Sequence, residues 1–331
     1  MIKRILNKSK RTLIHSKYSI GLSQNIINPG TIGNHIIMYH GVDLIENKKY
    51  NQRFIGFDNL RKQLIYLKKN TNILPLTDFF EEKFNKKQIN VSLTFDDGFL
   101  NNYKYVLPLL EELKIPATIY VTGLNMTNYS VLWPDFLDLN TPLVSQDLII
   151  GNEVFKKINN RFVSIETQMS LAQTIKNNGV FEYKKLVFEA FDKILGIDSN
   201  VNDALEDYWK LMTDEQIKEV DKSKYIDIES HSFLHNNLGN ISLENAIEEL
   251  YVSKKYLENL LQREVKHLAY PDGSYTRELI DEAFKLGYKY QVAAEGYLFP
   301  ELDQKDPRIL DRTGFYPANS WANQLDLMFN N

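Results

Sequence analysis

The chain has no cysteine in 331 residues. Disulfides and thiolate metal centres are therefore excluded, and any bound metal must be held by His, Asp or Glu. Basic charge is not in excess either. The formal net charge is −4, so no overall positive field points to nucleic acid. No apolar run approaches the ~18 residues of a membrane-spanning helix. Histidine is scarce, with six in all, which makes the position of each one informative. What remains is an ordinary globular composition, 43% hydrophobic and 25% charged. It is long enough for one large domain or two modest ones.

Residues 1–30 carry Lys3, Arg4, Lys8, Lys10, Arg11 and Lys17 and no acidic side chain. The following SIGLSQNIINPG is too polar for the apolar core of a secretory signal. The segment reads as a solvated basic arm, with weak attachment to an anionic membrane surface as the sharper alternative. The expectation is a protein not exported by a classical signal, cytoplasmic or peripheral to the inner membrane face.

Seven short β-rich runs follow: HIIMYH (35–40), VSLTFDD (91–97), ATIYVT (117–122), YIDIESH (225–231), KHLAYP (266–271), YKYQVAA (288–294) and RILDRTGFY (308–316). Helical patterns separate them. FDNLRKQLIYLKKN sets Leu60, Leu64 and Leu67 on one face. The helix from Asn101 meets Pro108, which predicts a kink. Ser242 is placed to cap the helix that carries Ala246, Leu250, Leu257 and Leu261. Strand–helix alternation of this kind implies a parallel sheet with helices outside, a barrel or a doubly wound sheet. Between about 124 and 224 the alternation stops. That stretch is too long for a plain loop, and two helical patterns within it predict a helical insertion. Trp133 there reads as packing or as a sugar-stacking platform.

The strand ends carry the chemistry. HIIMYH ends in His40, VSLTFDD in Asp96 and Asp97, YIDIESH in His231 with His235 four residues on, and KHLAYP in Pro271-Asp272-Gly273. Taken singly, Asp97-Gly98 is a common turn and His231 a plausible core histidine. In α/β barrels, however, side chains from several strands converge at the C-terminal edge of the sheet. A His-His-Asp set holds a divalent cation while leaving positions for water and substrate. The adjacent carboxylate is then available to take a proton from that water.

TFDDG followed by SHSFLH resembles the polysaccharide deacetylases, the family 4 carbohydrate esterases, over residues 36–123 and about 211–316. The resemblance implies a distorted (β/α)7 TIM-like barrel with the insertion at about 124–224. It implies Asp96 as general base, Asp97, His231 and His235 as ligands of Zn²⁺ (or Co²⁺, Ni²⁺ or Mn²⁺), and the Asp272 backbone N–H as an oxyanion donor. Tyr270, Pro271, Gly273, Trp133 and Arg312 are expected at the substrate. The chain departs from the family pattern in three places. No Arg precedes the YPDG stretch, so Arg308 or Arg312 is left to orient Asp96. No His follows His267 to serve as catalytic acid. Asn236 stands where Pro usually follows the second ligand His. A circularly permuted branch, similar to the poly-N-acetylglucosamine deacetylases, carries the acid on an N-terminal strand, and IIMYHGV fits it with His40. The implied activity is metal-dependent N-deacetylation of an amino sugar in a poly- or oligosaccharide or glycan precursor. The alternatives are a non-sugar or formyl amidohydrolase, or a non-catalytic carbohydrate-binding relative.

Overall fold

The computed structural model describes residues 26–45, 50–196, 203–294, 306–315 and 320–330. The basic arm up to residue 25, with His15, lies outside the described residues.

The central sheet is buried on both faces, and its strands show why. β5 (Ile89–Phe95) places Ile89, Val91, Leu93 and Phe95 on one face and Asn90, Ser92 and Thr94 on the other; all seven are buried. The first set joins Leu60, Leu64 and Leu67 of helix α1 (Phe57–Asn70) in the main apolar core. The second set is small and polar, and Thr94 on that face meets the guanidinium of Arg312. Such double burial is the habit of parallel sheets covered by helices.

Around β5 the neighbours are β1 (Gly33–Tyr39), β6 (Ala117–Val121), β10 (Ile226–Ser230), β11 (His267–Ala269), β12 (Tyr290–Val292), β13 (Ile309–Leu310) and β14 (Thr313–Gly314). With β4 (Asn72–Ile73) beside β5 they form a nine-stranded sheet in the order β13-β12-β11-β10-β6-β5-β1-β14, while β2 (Val42–Asp43) and β3 (Ile55–Gly56) pair with each other apart from it. Every pairing within it is parallel. The expected strand 308–316 is split. β13 pairs with β12 and β14 with β1, so two neighbouring dipeptides join opposite edges of the series. That crossing curls the sheet into a barrel-like form and puts Asp311 and Arg312 at the seam.

Local signals act as expected in most helices. Ser242 accepts from Asn245 N at 3.2 Å to cap the helix Leu243–Leu261. The irregularity near Pro108 is a π-helical turn over Asn102–Val106, after which Leu107–Leu113 continues as α-helix with Pro108 in its first turn. Pro108 follows directly on that turn, and its missing N–H leaves a carbonyl of the turn without a helical donor.

The insertion is not purely helical, contrary to the sequence expectation. It contains the helices Trp133–Asn140, Leu171–Asn178 and Phe181–Leu195. It also contains a three-stranded antiparallel sheet: β7 (Leu148–Ile150), β8 (Glu153–Ile158) and β9 (Arg161–Ser164). These elements share their own core, with Phe136, Phe155, Phe162, Phe188 and Phe191 at its centre. By Met212 the chain is back on the barrel, where its N–H donates to the Gly98 carbonyl. No helix among the described residues is long and apolar enough to cross a membrane.

Candidate active site

Parallel register brings the strand ends to one level. Tyr39 pairs with Phe95, and Ser230 with Val121 and Leu268. His40, Asp96 and His231 each come one residue after the last paired position. The backbone extends the ladder just far enough to hold two of them: Asp96 N donates to the Tyr39 carbonyl and His231 N to the Val121 carbonyl, each at 2.9 Å. All three side chains line one cavity of about 590 Å³, together with Asp97, His235, Asp272 and Gly273. The insertion supplies much of the opposite wall, including Trp133, Leu137 and Phe162.

Asp97, His231 and His235 are buried, and one ligand atom from each lies within 4.8 Å of the others. Nε2 of His231 and Nε2 of His235 stand 3.4 Å and 3.3 Å from Asp97 Oδ1. The contacts lack hydrogen-bond geometry, and both Asp97 oxygens are left without a donor although fully buried. A buried carboxylate without a hydrogen-bond donor, facing two imidazole nitrogens, is a donor set that suits a divalent cation. His231 Nδ1 is bonded to the Ala269 carbonyl at 2.8 Å, which fixes its ring and directs Nε2 at Asp97. Burial works to raise the Asp97 carboxyl, but the two histidines hold it well below the usual carboxylate range. The anion is therefore in place for a cation.

The pair His231/His235 does not sit on a helix. A tight loop joins them, with Ser232 at φ 62° and His235 at φ 52°. Asp97 (φ 77°) and Asp272 (φ 54°) are left-handed as well. For side chains other than glycine such conformations cost on the order of 1–3 kcal/mol each and persist only where the surroundings hold them. Asp272 lies in the tight turn Pro271–Gly273, where its own backbone is non-helical.

Asp96 is oriented from the barrel seam. Arg312 Nη1 and Nη2 donate to its Oδ1 and Oδ2 at 2.7 and 2.8 Å, and both side chains are buried. The guanidinium also donates to the Ala293 carbonyl and Thr94 Oγ1. Arg308, the other candidate, is tied to Asp281 and Asp306 instead. Burial pushes Asp96 up, but Arg312 pulls it below its ordinary value. We predict that Arg312→Met destabilises the fold by about 3–5 kcal/mol at neutral pH, since a buried carboxylate is left unpaired. In the wild type the folded pKa lies below the unfolded one, so the pair stabilises above about pH 4 and that contribution fades as pH falls through the folded value. In the variant burial is unopposed, Asp96 titrates higher, and the acidic limb of the rate–pH profile moves to higher pH. An unshifted limb with unchanged denaturant midpoint would refute this role.

Other expected residues fare differently. Trp133 lines the cavity and also belongs to the insertion core. Tyr270 is at the cavity wall, but its ring is buried against Tyr275 and its hydroxyl donates to Gln291 at 2.5 Å, so it supports the turn from within. Pro271 is buried. His40 is half-buried, and desolvation lowers its imidazole to about 4 against the pull of Asp97 and Asp96. His267 is a core histidine bonded to Thr77, and His35 packs edge-on against Phe329.

Three charged residues at the site were not read from the sequence. Arg53 reaches Asp97 Oδ2 at 3.6 Å and pairs with buried Asp135 of the insertion. Lys176 pairs with Asp272 at 2.5 Å. Lys184 is buried under the His231–His235 loop.

Comparison with known proteins agrees with this geometry. The family described as Polysaccharide deacetylase matches residues 83–182 and 193–291. YxkH of Bacillus subtilis (strain 168), named for the same family, is 33% identical over 84 residues, which is 25% of this chain and only 30% of that protein's length. Among solved structures, the Streptococcus pyogenes deacetylase PplD in complex with acetate has a TM-score of 0.55 at 18% identity, covering 92% of this chain and 100% of that one. IcaB from Ammonifex degensii has a TM-score of 0.55 at 16% identity, covering 90% and 97%. At these identities the structural likeness concerns the fold. The family match spans both barrel segments that carry Asp96, Asp97, His231 and His235, and the chain belongs to the polysaccharide deacetylase family.

Proposed function

We propose that the protein is a metal-dependent N-deacetylase of an N-acetylated amino sugar, releasing acetate and leaving the sugar amine. The observation that carries this reading is the buried Asp97 carboxylate, without a hydrogen-bond donor and close to two Nε2 atoms, beside an Asp96 locked by Arg312. Asp97, His231 and His235 would hold the cation, Zn²⁺ before Co²⁺, Ni²⁺ or Mn²⁺. When bound it would polarise the amide carbonyl and lower the pKa of water at the site toward about 7.

The chain's own groups do the rest. Each Asp96 oxygen accepts one bond from Arg312 and keeps a lone pair. Oδ2 is the oxygen nearer the triad, 4.0 Å from His231 Nε2. Asp96 takes the proton as water oxygen bonds to the carbonyl carbon. The Asp272 N–H donates to the oxyanion, which needs a fixed donor where charge develops. His40 gives a proton to the nitrogen as the C–N bond breaks. Its imidazole is neutral in the resting site, so it takes a proton from solvent as negative charge develops in the adduct and passes that proton to the nitrogen, while Asp96 returns the water proton to solvent. The aromatic and apolar insertion wall at Trp133 and Phe162 supplies a face for the sugar ring. We take the split segment 309–314 as the seventh barrel member, which makes Arg312 the substitute for the arginine missing before YPDG.

The test is acetate release from N-acetylglucosamine oligomers. Chelation should abolish it and Zn²⁺ restore it, and replacing His231 and His235 together with Ala should remove stoichiometric metal. Metal retained by that double variant sinks the ligand assignment. Formate released from an N-formyl sugar, with no acetate from any N-acetyl substrate, would redirect the reading to a formyl amidohydrolase.

A further inference from the structure

The insertion does more than wall the cavity. Its helices Leu171–Asn178 and Phe181–Leu195 meet at Gly179, and the corner between them rests on two catalytic segments. On one side, Lys176 in the last turn of the first helix pairs with the Asp272 carboxylate at 2.5 Å. On the other, Lys184 in the first turn of the second helix donates to the His235 carbonyl at 2.6 Å and to Asn236 Oδ1 at 3.1 Å. Between them the Gly179 carbonyl accepts from Asn237 N at 3.2 Å.

The loop so held is the one that most needs holding. Ser232 and His235 are both left-handed, as is Asp272, and such backbone persists only when its neighbours over-determine it. Lys184 is 3% exposed. A buried ammonium must be fully hydrogen-bonded or paired, so its site is specified. Glu249 completes it from the barrel side. Its Oε1 accepts from Leu234 N and Asn236 N, and its Oε2 from Asn236 Nδ2 at 2.6 Å. Asn236 thus links the two opposite charges through its side-chain amide, and its backbone N–H, which a proline would lack, adds a second bond to Glu249.

We propose that the corner 176–184 is a positioning clamp. Lys184, through Asn236 and Glu249, sets the backbone of the metal-ligand His235, and Lys176 sets the oxyanion turn at Asp272. Neither lysine is a catalytic residue. The inference rests on the metal-site reading above for its consequences, but the clamp itself is a contact between elements and can be tested without metal.

The experiment uses the full chain and two variants, Lys184→Met and Lys176→Met. In metal-free protein, Lys184→Met should speed amide hydrogen exchange over 231–237 while the β5 and β6 amides keep their protection. The Zn²⁺ Kd, measured by competition with a chromophoric chelator, should rise about 10–100-fold, the range lost when groups supporting a metal ligand are removed. Lys176→Met should leave the Zn²⁺ Kd unchanged and lower kcat at constant KM. A folded Lys184→Met protein with wild-type exchange and wild-type Kd overturns the clamp. If Lys184→Met does not fold, Lys176→Met decides, and wild-type kcat there overturns it. Wild-type protein that binds no Zn²⁺ instead counts against the proposed function, and the exchange comparison still decides the clamp.

Discussion

Asp96→Asn is expected to keep its divalent cation and to lose turnover by about 10²–10⁴-fold, the usual worth of a positioned proton acceptor. The argument is one of roles at adjacent positions. Asp96 and Asp97 leave the same strand, but their backbones differ: Asp97 turns left-handed at φ 77° and sends its carboxylate toward His231 and His235. Asp96 continues the strand and is captured by Arg312. An asparagine at 96 preserves shape but cannot take a proton at neutral pH, and its amide nitrogen faces a guanidinium donor. Some stability is lost with the ion pair, while Asp97, His231 and His235, the proposed cation ligands, are untouched. Asp97→Asn should do the reverse and weaken cation binding first, with loss of activity following occupancy. Elemental analysis of dialysed variants beside acetate release separates the two. Equal metal loss in both would show that the division of labour is wrong.

The strand frame was legible because its signal is local. Runs such as INVSLTF alternate large apolar with small polar side chains, and a strand buried on both faces needs that pattern. The split of 308–316 was not legible, since pairing with opposite edges depends on how the whole sheet curls. The insertion's hairpins did leave a trace. Asn159 and Asn160 are both left-handed, at φ 48° and 59°, and join Glu153–Ile158 to Arg161–Ser164. Two asparagines between β-prone runs signal a type I′ turn, and the helical patterns around them masked it. At the site, the motif residues Asp96, Asp97, His231 and His235 were readable because they follow strand ends. Arg53–Asp135 and the Lys184–Asn236–Glu249 link were not, because each joins segments far apart in the chain and none of Arg53, Asp135, Lys184 and Glu249 carries a local signature. Arg312 was readable only as one of two arginines, and the seam of the barrel decides between them.

His40→Ala is expected to lower kcat on an N-acetyl sugar by about 10²–10⁴-fold with metal content unchanged. His40 follows β1 at the level of Asp96 and lines the same cavity, yet it is not in the Asp97–His231–His235 triad. Its imidazole is lowered to about 4 by burial, with Asp97 and Asp96 pulling upward. A group so placed gains a proton when negative charge grows beside it, and it can release that proton to a departing nitrogen. An amide anion is a very poor leaving group, so a deacetylase without this donor stalls with the C–N bond intact. The consequence is a dependence on the leaving group. A phenolate leaves without protonation, so an activated aryl acetate should be cleaved by His40→Ala at close to the wild-type rate, while the amide is not. Asp96→Asn should fail on both, because attack by water precedes either departure. If His40→Ala loses ester and amide turnover alike, its role lies in binding or attack rather than in proton donation. If it keeps wild-type turnover on the amide, the N-terminal strand does not supply the acid.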